Sequence, residues 1–440
     1  MSQKTVKIGM AGFGTVGSGV AKIVLEQSDE IAAKTGIKLE LACVVDLDTR
    51  TERPVTMPAG TLTDDMNKLL DNSDIEIALE LIGGTTFARD LQAKILQSGK
   101  HVVTANKALL AEYGSELYKI ARENNRCIAM EASCAGGISI ISALRTGLAA
   151  NRIEAMFGIV NGTCNYILSQ MTAENKDFDE ALTEAQKLGF AEADPTLDIN
   201  GGDSAHKLAI LSSIAFGYEI ALGDIYVEGI ENVSKYDIKY GGEMGYVLKL
   251  LAIGEKDDNS RISLRVHPSF IAKDDPLAQV NGSFNAVSVF GNAVGQVMYY
   301  GRGAGMMPTA SAVVADIIDV ALGNSITTFN HLRLKGHDQT AKLIEKIGDS
   351  VSRFYIRIMA VDEPGVFAHI GEILSDHAVS ISGVLQHEGR GPDDTVPVVI
   401  TTHPTKQSSI DATLADLNNL KSVCGKPVCI RIVDIPKDTD

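Results

Sequence analysis

The chain has 440 residues, of which 45% are apolar and 22% are charged, and its formal net charge at pH 7 is −16. A chain of this length exceeds what one hydrophobic core usually supports, so it predicts two or three domains. The acidic balance argues against nucleic acid or an anionic membrane as the main partner, because both bind basic surfaces. Small molecules are therefore the expected partners.

The cysteines and the hydropathy of the chain point to the cytoplasm. The six cysteines lack the paired spacing of metal sites, and most lie in apolar or strand-like surroundings, as reduced core thiols do: Cys43, Cys127, Cys134, Cys164, Cys424 and Cys429. No apolar run reaches the roughly 18 residues that a membrane-spanning helix needs, and the amino terminus leads straight into a predicted strand. We expect a cytoplasmic protein that is neither secreted nor membrane-spanning.

The amino-terminal residues have the pattern of a dinucleotide-binding βαβ unit. Residues 5–12 predict a buried strand and residues 18–27 a helix, and between them lies a glycine-rich turn, Gly12, Phe13, Gly14, Thr15, Val16 and Gly17. Glycines at this spacing allow a tight turn, a close approach to a pyrophosphate and close packing of helix on strand. A purely structural turn is the alternative, but the position between strand and helix favours cofactor binding.

The end of the next strand leaves the choice of cofactor open. Residues 39–45 predict a strand that ends at Asp46, a carboxylate placed to bind the ribose hydroxyls of NAD. Arg50 follows four residues later, where it could meet the 2′-phosphate of NADP. We therefore predict NAD or NADP without choosing between them.

Two further predicted strands bring polar side chains to the same edge of the sheet. Residues 75–82 and 101–104 alternate with helical segments, which predicts a doubly wound parallel α/β sheet of the Rossmann type. Thr85 follows the first of these strands and is a plausible cofactor contact. Lys107 follows the second, where it is either an exposed lysine that starts a helix or a residue of the crevice in which such sheets bind ligands.

The remaining chain predicts two more domains. The strict alternation of predicted strands and helices ends near residue 135, so we expect an α+β domain over 136–302. A helix at 303–325 should return to the first domain, 1–135, and residues 350–435 should form a separate module. The module has a βαββαβ order, which is ferredoxin-like, with these predicted elements: strands 353–361, 379–387, 395–401 and 428–433, and helices 367–377 and 408–420.

The segment from Glu192 to Lys207 combines Asp194, Asp198 and Asp203 with an otherwise apolar neighbourhood. Ionised groups taken out of water need partners, and a bound ammonium group is one such partner. Asp203 and Lys207 lie four residues apart in a predicted helix, so they share one face. The alternative is a solvated loop closed by an ordinary helical ion pair.

Two other stretches carry candidate site residues. The run of small residues from Glu131 to Ile138 predicts either a close-packed bend or a weak site for a monovalent cation, and spacing alone favours the bend. Thr163, at the start of a predicted helix, is either a capping residue or a substrate contact.

These motifs, taken together and in this order, closely resemble those of homoserine dehydrogenases with a carboxyl-terminal ACT domain. The resemblance covers nearly all 440 residues and includes GFGTVG at 12–17, ELIGG at 80–84, VTANKALLA at 103–111, EASCAGG at 131–137, GIVNGTCNYIL at 158–168, GFAEADPTLDINGGDSAHKLAIL at 189–211 and GRGAGMMPTAS at 301–311. It implies the NAD(P)-dependent interconversion of L-homoserine and L-aspartate 4-semialdehyde, for threonine, methionine and isoleucine synthesis.

The resemblance also implies roles for individual residues. Glu192 and Asp203 would hold the α-ammonium group of the substrate, with Asp198 ordering the site. Lys107 and Lys207 would face the reacting oxygen. We hypothesise that Lys207 is the main proton donor and that Lys107 positions substrate and nicotinamide, because Lys107 follows a strand of the first domain whereas Lys207 belongs to the acidic segment. The resemblance further implies a sodium site formed by Glu131 with the backbone oxygens of Cys134, Gly136 and Ile138. It also implies that Gly305 lies beside the nicotinamide.

The carboxyl-terminal module implies regulation and assembly. It carries the turn Asp362–Val366 of ACT domains but has Ser380–Ser382 where such modules often show a nearby asparagine. We expect threonine as its effector, and a homodimer or homotetramer because ACT sheets pair edge to edge. Two alternatives are an oxidoreductase of the sugar dehydrogenase type and a catalytically silent amino-acid sensor. The Glu192–Lys207 segment disfavours the first, and the presence of both Lys107 and Lys207 disfavours the second.

Overall fold

The computed structural model describes residues 4–341, 343–387 and 395–436. They form two compact units. The first unit comprises Met1–Gly162, Asp203–Ile225 and Phe284–Lys342, and the second unit comprises Thr163–Gly202, Tyr226–Ser283 and Leu343–Asp440. Residues 1–3 of the predicted first domain and 388–394 of the predicted carboxyl-terminal module lie outside the described residues.

The first third of the chain alternates strands and helices, as the sequence predicts. In chain order its elements are β1 (Lys4–Ala11), α1 (Thr15–Glu26), α2 (Ser28–Thr35), β2 (Ile37–Val45), β3 (Leu62–Thr63), α3 (Asn67–Leu70), β4 (Ile75–Glu80), α4 (Thr86–Gln97), β5 (His101–Thr104), α5 (Lys107–Glu123) and β6 (Ile128–Ala129).

These strands form one parallel sheet in the order β3-β2-β1-β4-β5-β6. The predicted doubly wound α/β sheet is thus confirmed. The strand order reverses between β1 and β4. Open parallel sheets bind ligands at such a reversal, next to the carboxyl ends of the strands. Gly12 follows β1 and Leu81 follows β4 at that edge, and the N–H of Leu81 donates to the carbonyl of Ala11 over 2.8 Å.

The middle of the chain contributes to both units. In chain order its elements are α6 (Ile140–Ser142), β7 (Ile153–Ile159), α7 (Gly162–Glu174), α8 (Phe178–Lys187), α9 (Thr196–Ile199), α10 (Gly202–Phe216), β8 (Tyr226–Val227), α11 (Lys235–Glu243), β9 (Tyr246–Lys256), β10 (Ile262–Ala272), β11 (Phe284–Gly291), β12 (Gly295–Arg302), α12 (Met306–Ala321), α13 (Asn324–His331) and α14 (His337–Thr340).

Helix α12 is the predicted returning helix, and it begins at Met306 rather than at residue 303. It packs closely on α1 within the first unit. A Cβ atom on Gly19 of α1 would lie 2.8 Å from the carbonyl oxygen of Met306 and 2.9 Å from the Cβ of Ala310. The absence of a side chain at Gly19 therefore permits this helix contact. The first unit also contains the antiparallel strands β7, β11 and β12, with β11 in the middle.

The last part of the chain folds as the sequence predicts. In chain order its elements are β13 (Val351–Val361), α15 (Val366–Asp376), β14 (Ile381–Gln386), β15 (Thr395–Thr402), β16 (Thr405–Lys406), α16 (Gln407–Asn419) and β17 (Val428–Ile432). Its strands lie in the order β17-β13-β15-β14, which with the two helices gives the ferredoxin-like arrangement. In the second unit the sheet continues from β17 to β10 and β9, because β17 pairs in parallel with β10.

A buried ion pair ties this module to α11 within the second unit. Asp237 of α11 is fully buried, and its carboxylate accepts hydrogen bonds from Nε of Arg357 over 2.6 Å and from the hydroxyl of Tyr355 over 3.1 Å. Both partners belong to β13. A buried charge without such partners would cost several kcal/mol, so the pairing makes the two segments dependent on each other.

The hydropathy of the helices gives one further result. Among the helices of the described ranges, none alone has both the length and the apolar character needed to cross a membrane. The helices α12 and α13, which meet at a bend of 89°, would pass that test as a pair on length and composition only.

The Asp237 ion pair yields the first prediction. Asp237→Ala leaves the Arg357 guanidinium buried without its carboxylate, and we expect a destabilisation of about 3–5 kcal/mol. Asp257→Ala is the matched control, because it breaks an exposed pair with Arg261 whose attraction is largely screened by water. Thermal unfolding followed by circular dichroism compares the two. Equal melting temperatures for both variants would contradict the importance of the buried pair.

Candidate active site

The glycine turn after β1 is shaped for a bound phosphate. Gly12 has φ +100°, and a Cβ atom there would lie 2.5 Å from the carbonyl oxygen of Leu81. A Cβ on Gly17 would lie 2.2 Å from the carbonyl oxygen of Gly12, whereas a Cβ on Gly14 would meet no atom within 4 Å. Packing therefore requires glycine at positions 12 and 17. Gly14 faces open space instead, which allows a ligand to approach the backbone closely.

The amino terminus of α1 adds the electrostatic part of this site. Gly14 precedes the helix without a side chain that could cap it, and the first turn holds no acidic residue. The first N–H groups, from Thr15 onward, can therefore donate to an anion, which the helix dipole also favours. The turn and this helix end fit the pyrophosphate of a dinucleotide.

Asp46 and an unpredicted arginine hold the glycine turn in place. Oδ2 of Asp46 accepts the N–H of Phe13 over 2.6 Å, and Oδ1 accepts the N–H of Asp48 over 2.9 Å. Nε of Arg53 donates to the carbonyl of Phe13 over 2.8 Å, while Arg50 is exposed. Arg53 lies in a loop without periodic pattern, so no signal in the sequence set it apart from Arg50.

Glu80 is a second residue that the sequence analysis missed. It is fully buried at the end of β4. Its Oε1 accepts the N–H groups of Ile82 and Gly83, and its Oε2 accepts the amide of Gln92 over 2.9 Å and the hydroxyl of Thr104 over 2.8 Å. One carboxylate therefore fixes the loop after β4 and the end of β5. A glutamate that closes an apolar strand before two glycines was the available signal.

Asn106 positions Lys107. Its Oδ1 accepts the N–H of Leu109, which caps α5, and its Nδ2 donates to the carbonyl of Gly84 over 2.7 Å. Lys107 is consequently the first residue of α5, at the ligand-binding edge of the sheet. Thr85, the predicted cofactor contact, precedes α4 at the same edge and forms no side-chain cap.

The centre of the site is the carboxylate of Asp203 in the first turn of α10. Asp203 is only 4% exposed. Its Oδ2 lies 2.7 Å from Nζ of Lys207 and accepts the amide of Asn161 over 2.8 Å, and its Oδ1 lies 3.2 Å from Nζ of Lys107. The structure thus brings together Asp203, Lys207 and Lys107, and it adds Asn161, which the sequence analysis quoted without a role.

The charges around Asp203 determine its protonation. Burial alone would raise its pKa, but the positive charges of Lys207 and Lys107 outweigh burial, and hydrogen bonds from Lys207 and Asn161 act in the same direction. The pKa of the carboxyl group is therefore held well below its usual range. Asp203 stays ionised at neutral pH.

The two lysines differ in their surroundings. Nζ of Lys207 donates to the carbonyl of Val160 over 2.6 Å as well as to Asp203, and its side chain is 11% exposed. The side chain of Lys107 is 35% exposed. An ammonium group has three N–H donors, so Lys207 keeps a third donor beyond the two acceptors seen among the described residues. Lys207 is the more rigidly oriented of the two.

His206 borders this cluster and was also missed. It precedes Lys207 on α10, and among the described residues its buried Nδ1 has no hydrogen-bond partner. Burial lowers the pKa of the imidazole, and the nearby charge of Asp203 opposes that change only in part. A neutral ring at pH 7 is the result.

The other predicted substrate residues belong to the second unit. The hydroxyl of Thr163 donates to the carbonyl of Phe190 over 2.7 Å, and Thr163 is the second residue of α7, so it does not cap that helix. Glu192 is exposed. The backbone oxygen of Asp198 accepts from Sγ of Cys164 over 3.2 Å, which holds the acidic segment against α7.

The predicted cation site is a strained bend. Ala135 and Gly136 both adopt positive φ, +54° and +51°. A Cβ on Gly136 would lie 2.4 Å from the carbonyl oxygen of Gly303, so this bend packs directly on the glycine-rich turn that ends at Gly305. A non-glycine residue with positive φ costs energy, and such residues concentrate at functional sites.

The carboxylate of Glu131, a predicted member of the cation site, accepts hydrogen bonds from the start of α6. It accepts the N–H of Ile141 over 2.8 Å and the N–H of Ser142 over 2.7 Å. These N–H groups and the hydroxyl of Ser142 occupy three of the roughly four acceptor positions of a carboxylate, so a cation at this bend would rely mainly on backbone oxygens, including those of Cys134 and Ile138. The described residues hold no group of three or more His, Cys, Asp or Glu side chains suited to a metal ion.

Gly305 immediately precedes α12 with φ +129°. The same turn contains Gly303, where a Cβ would overlap the side-chain amide of Asn285. Within the described ranges, that buried amide has no partner for either polar atom. The absence of a side chain at Gly303 thus leaves room for this amide, next to the position that the family resemblance predicts for the nicotinamide.

Comparison with known proteins agrees with this arrangement. Three family models match the chain: "Homoserine dehydrogenase, NAD binding domain" over residues 12–131, "Homoserine dehydrogenase" over residues 140–318, and "ACT domain" over residues 354–422.

Full-length relatives and a solved structure match as well. The homoserine dehydrogenase of Pseudomonas aeruginosa is 42% identical over 433 residues, which cover 98% of this chain and 99% of that protein. That of Synechocystis sp. is 42% identical over 436 residues, which cover 98% and 100%. The crystal structure of a homoserine dehydrogenase from Thiobacillus denitrificans has a TM-score of 0.87 and 41% identity, and the match covers 98% of this chain and 99% of that one.

Arg53 yields the second prediction. If its guanidinium lies near the 2′-phosphate of NADP, Arg53→Ala removes a charge-assisted hydrogen bond worth about 1.5–3 kcal/mol. We expect NADPH affinity to fall at least about tenfold and NADH affinity to change less. Arg50→Ala is the matched comparison, with a smaller expected effect because Arg50 is exposed. Fluorescence titration with each dinucleotide measures this. A larger loss in Arg50→Ala than in Arg53→Ala would contradict the assignment.

Proposed function

Because the chain belongs to the homoserine dehydrogenase family, it interconverts L-homoserine and L-aspartate 4-semialdehyde, and we propose that Lys207, Lys107 and Asp203 handle the proton of that reaction. The observation that carries this proposal is the buried cluster in which one carboxylate pairs with both lysines. The chain is an oxidoreductase with an NAD-binding domain and uses a nicotinamide dinucleotide.

Lys207 is the proposed proton donor. When bound, the nicotinamide supplies the hydride to the aldehyde carbon. The aldehyde oxygen then gains negative charge and needs a proton, which Nζ of Lys207 donates; in the reverse direction it takes the proton of the hydroxyl group. The contacts of Nζ with Val160 and Asp203 support this role, because they orient the ammonium group and leave one N–H for the substrate.

Lys107 and Asp203 have supporting roles in this proposal. Lys107 holds the reacting oxygen and stabilises its developing charge, a role that the partial exposure of its side chain supports. Asp203 keeps the two like charges of the lysines together, since without it they would repel each other. Its ion pairs compete with any contact to the α-ammonium group of the substrate. We therefore assign that group mainly to Glu192, with Asp198 ordering the segment and Thr163 as a further contact.

The cofactor is NADP or NAD, held by the glycine turn 12–17. We propose that Asp46, Arg50 and Arg53 decide the preference, and that Thr85, Lys107 and Gly305 border the nicotinamide. Support comes from their common position at the carboxyl edge of the parallel sheet or on the turn before α12.

We further propose a monovalent cation, sodium, at the bend formed by Glu131, Cys134, Gly136 and Ile138. The positive φ of Ala135 supports it, because a strained backbone persists where its surroundings require it. The cation would be structural, since it would link this bend to the turn before α12.

The cellular compartment and the oligomeric state of the enzyme are also proposals. We place it in the cytosol, which the free thiol state of all six cysteines supports. We expect a homodimer or homotetramer, because Ile381 and Val384 of β14 are exposed on the strand that ends the ACT sheet.

The proposed domains are 1–135 with the helix of 303–325, then 136–302 and 350–435. Threonine is the proposed effector of the ACT domain.

The lysines yield the third prediction. Absorbance at 340 nm with L-homoserine and NADP or NAD measures the reaction. We expect Lys207→Met to lower kcat by about 10²- to 10⁴-fold, the usual contribution of a general acid or base. Lys107→Met should raise KM as well as lower kcat. Lys119→Met is the control, because Lys119 lies on the same helix α5 but is highly exposed.

Two results would overturn this proposal. Near-parental kcat in both lysine variants, in both directions of the reaction, would remove them from the chemistry. Absence of turnover in the unmodified protein with either cofactor would leave an amino-acid sensor as the alternative.

The proposed cation yields the fourth prediction. Exchange from sodium chloride into choline chloride at equal ionic strength should lower the melting temperature, and added sodium should restore it. A ligand at about 100 times its dissociation constant stabilises the folded state by about 2.7 kcal/mol. Identical melting curves in the two salts would show that the bend is only structural.

A further inference from the structure

The segment that follows β7 holds both members of the buried ion pair in the candidate active site. The carbonyl oxygen of Val160 accepts a hydrogen bond from Nζ of Lys207 over 2.6 Å. The side-chain amide of the next residue, Asn161, donates to Oδ2 of Asp203 over 2.8 Å. Asn161 is only 5% exposed, so its amide belongs to the interior of the site. Two consecutive residues therefore fix the ammonium group and its carboxylate together.

The backbone gives Asn161 a rigid support. Strand β7 pairs with β11 as far as Ile159 and Ala286, and β11 pairs in turn with β12. The link from β7 to α7 consists of Val160 and Asn161 alone, because the strand ends at Ile159 and the helix begins at Gly162. So short a link between two regular elements leaves the amide little freedom to move.

The hydrogen bonds of Asp203 are divided between its two oxygens. Each oxygen of a carboxylate has two lone pairs. Oδ2 accepts from Nζ of Lys207 over 2.7 Å and from the amide of Asn161 over 2.8 Å, which uses both. Oδ1 lies 3.2 Å from Nζ of Lys107. The amide thus occupies the place on Oδ2 that a second ammonium group would otherwise take.

This division keeps the two ammonium groups apart. Two positive charges on one oxygen would repel each other strongly in a site with little water. On different oxygens, Lys107 and Lys207 flank one point where the reacting oxygen of the substrate can contact both. A neutral donor suits the place of Asn161, because a third cation would add to the repulsion and a second carboxylate would draw the lysines away from Asp203.

We propose that Asn161 is a positioning residue of the reaction: its amide reserves Oδ2 of Asp203 for Lys207 and thereby places Lys107 at Oδ1. Asn161 acts through Lys107 and takes no part in the transfer of hydride or proton. This inference rests on the proposed function, since it requires that both lysines take part in the chemistry.

The test begins with two substitutions of Asn161 and the rate of L-homoserine oxidation at 340 nm. Asn161→Leu roughly keeps the size of the side chain and Asn161→Ala does not, but both remove the N–H donor. We expect both to lower kcat by about 10- to 100-fold, because small displacements of reacting groups have effects of this size. The affinity for NADPH, measured by fluorescence titration, should stay at the parental value.

A double-mutant cycle with Lys107 distinguishes positioning from a general structural role. In the Lys107→Met background, Asn161→Leu should change kcat by less than about threefold, because the group that it positions is already absent. Asn151→Leu is the matched control at the other end of β7, where Oδ1 of Asn151 accepts the N–H groups of Ala293 and Val294. This control should lower the melting temperature and leave kcat unchanged in both backgrounds.

The inference fails if kcat is parental in both Asn161 variants, or if the effects of Asn161→Leu and Lys107→Met multiply in the double variant. It also fails if both Asn161 variants lose NADPH affinity along with kcat, since Asn161 would then support folding in general. Parental kcat in Lys107→Met alone would instead defeat the proposed role of that lysine, whatever the Asn161 variants give.

Discussion

An ionised carboxylate buried at the end of a helix is the constraint on which the candidate active site depends. Asp203 is almost inaccessible to water, and such a charge costs several kcal/mol unless nearby groups compensate it. Its partners come from three different elements: Lys207 from its own helix α10, Lys107 from the start of α5 and Asn161 from the residue before α7. The carboxylate therefore holds two ammonium groups near one point, where a reacting oxygen can use both.

The parallel sheet supplies the rigid support for that point. Glu80 bonds to the ends of β4 and β5, and Asn106 joins the same two loops while capping α5. Lys107 is a cation at a helix amino terminus, a position that the helix dipole disfavours. The carboxylate of Asp203 offsets this cost. The position of Lys107 is thus decided by hydrogen bonds of neighbouring residues and by a charge from a distant part of the chain.

The ACT module is likewise joined to the rest of the second unit by a buried charge and by strand pairing. The fully buried Asp237 bonds to two residues of β13, and β17 extends the sheet to β10. Within the same unit, the N–H of Ile230 donates to the carbonyl of Ile199, so the acidic segment is bonded to the chain that leads into α11.

The sequence by itself determined the architecture and half of the active site. The glycine spacing of 12–17, the alternation of strands and helices and the βαββαβ order all follow from local periodicity, and so does the Asp203–Lys207 pair, because residues four apart share one helix face. Only the tertiary structure decided that Lys107 reaches Asp203, that Arg53 reaches the glycine turn, and that Glu131 caps a helix. These are contacts of single side chains between segments distant in sequence, and neither propensity nor periodicity contains information about which distant groups meet.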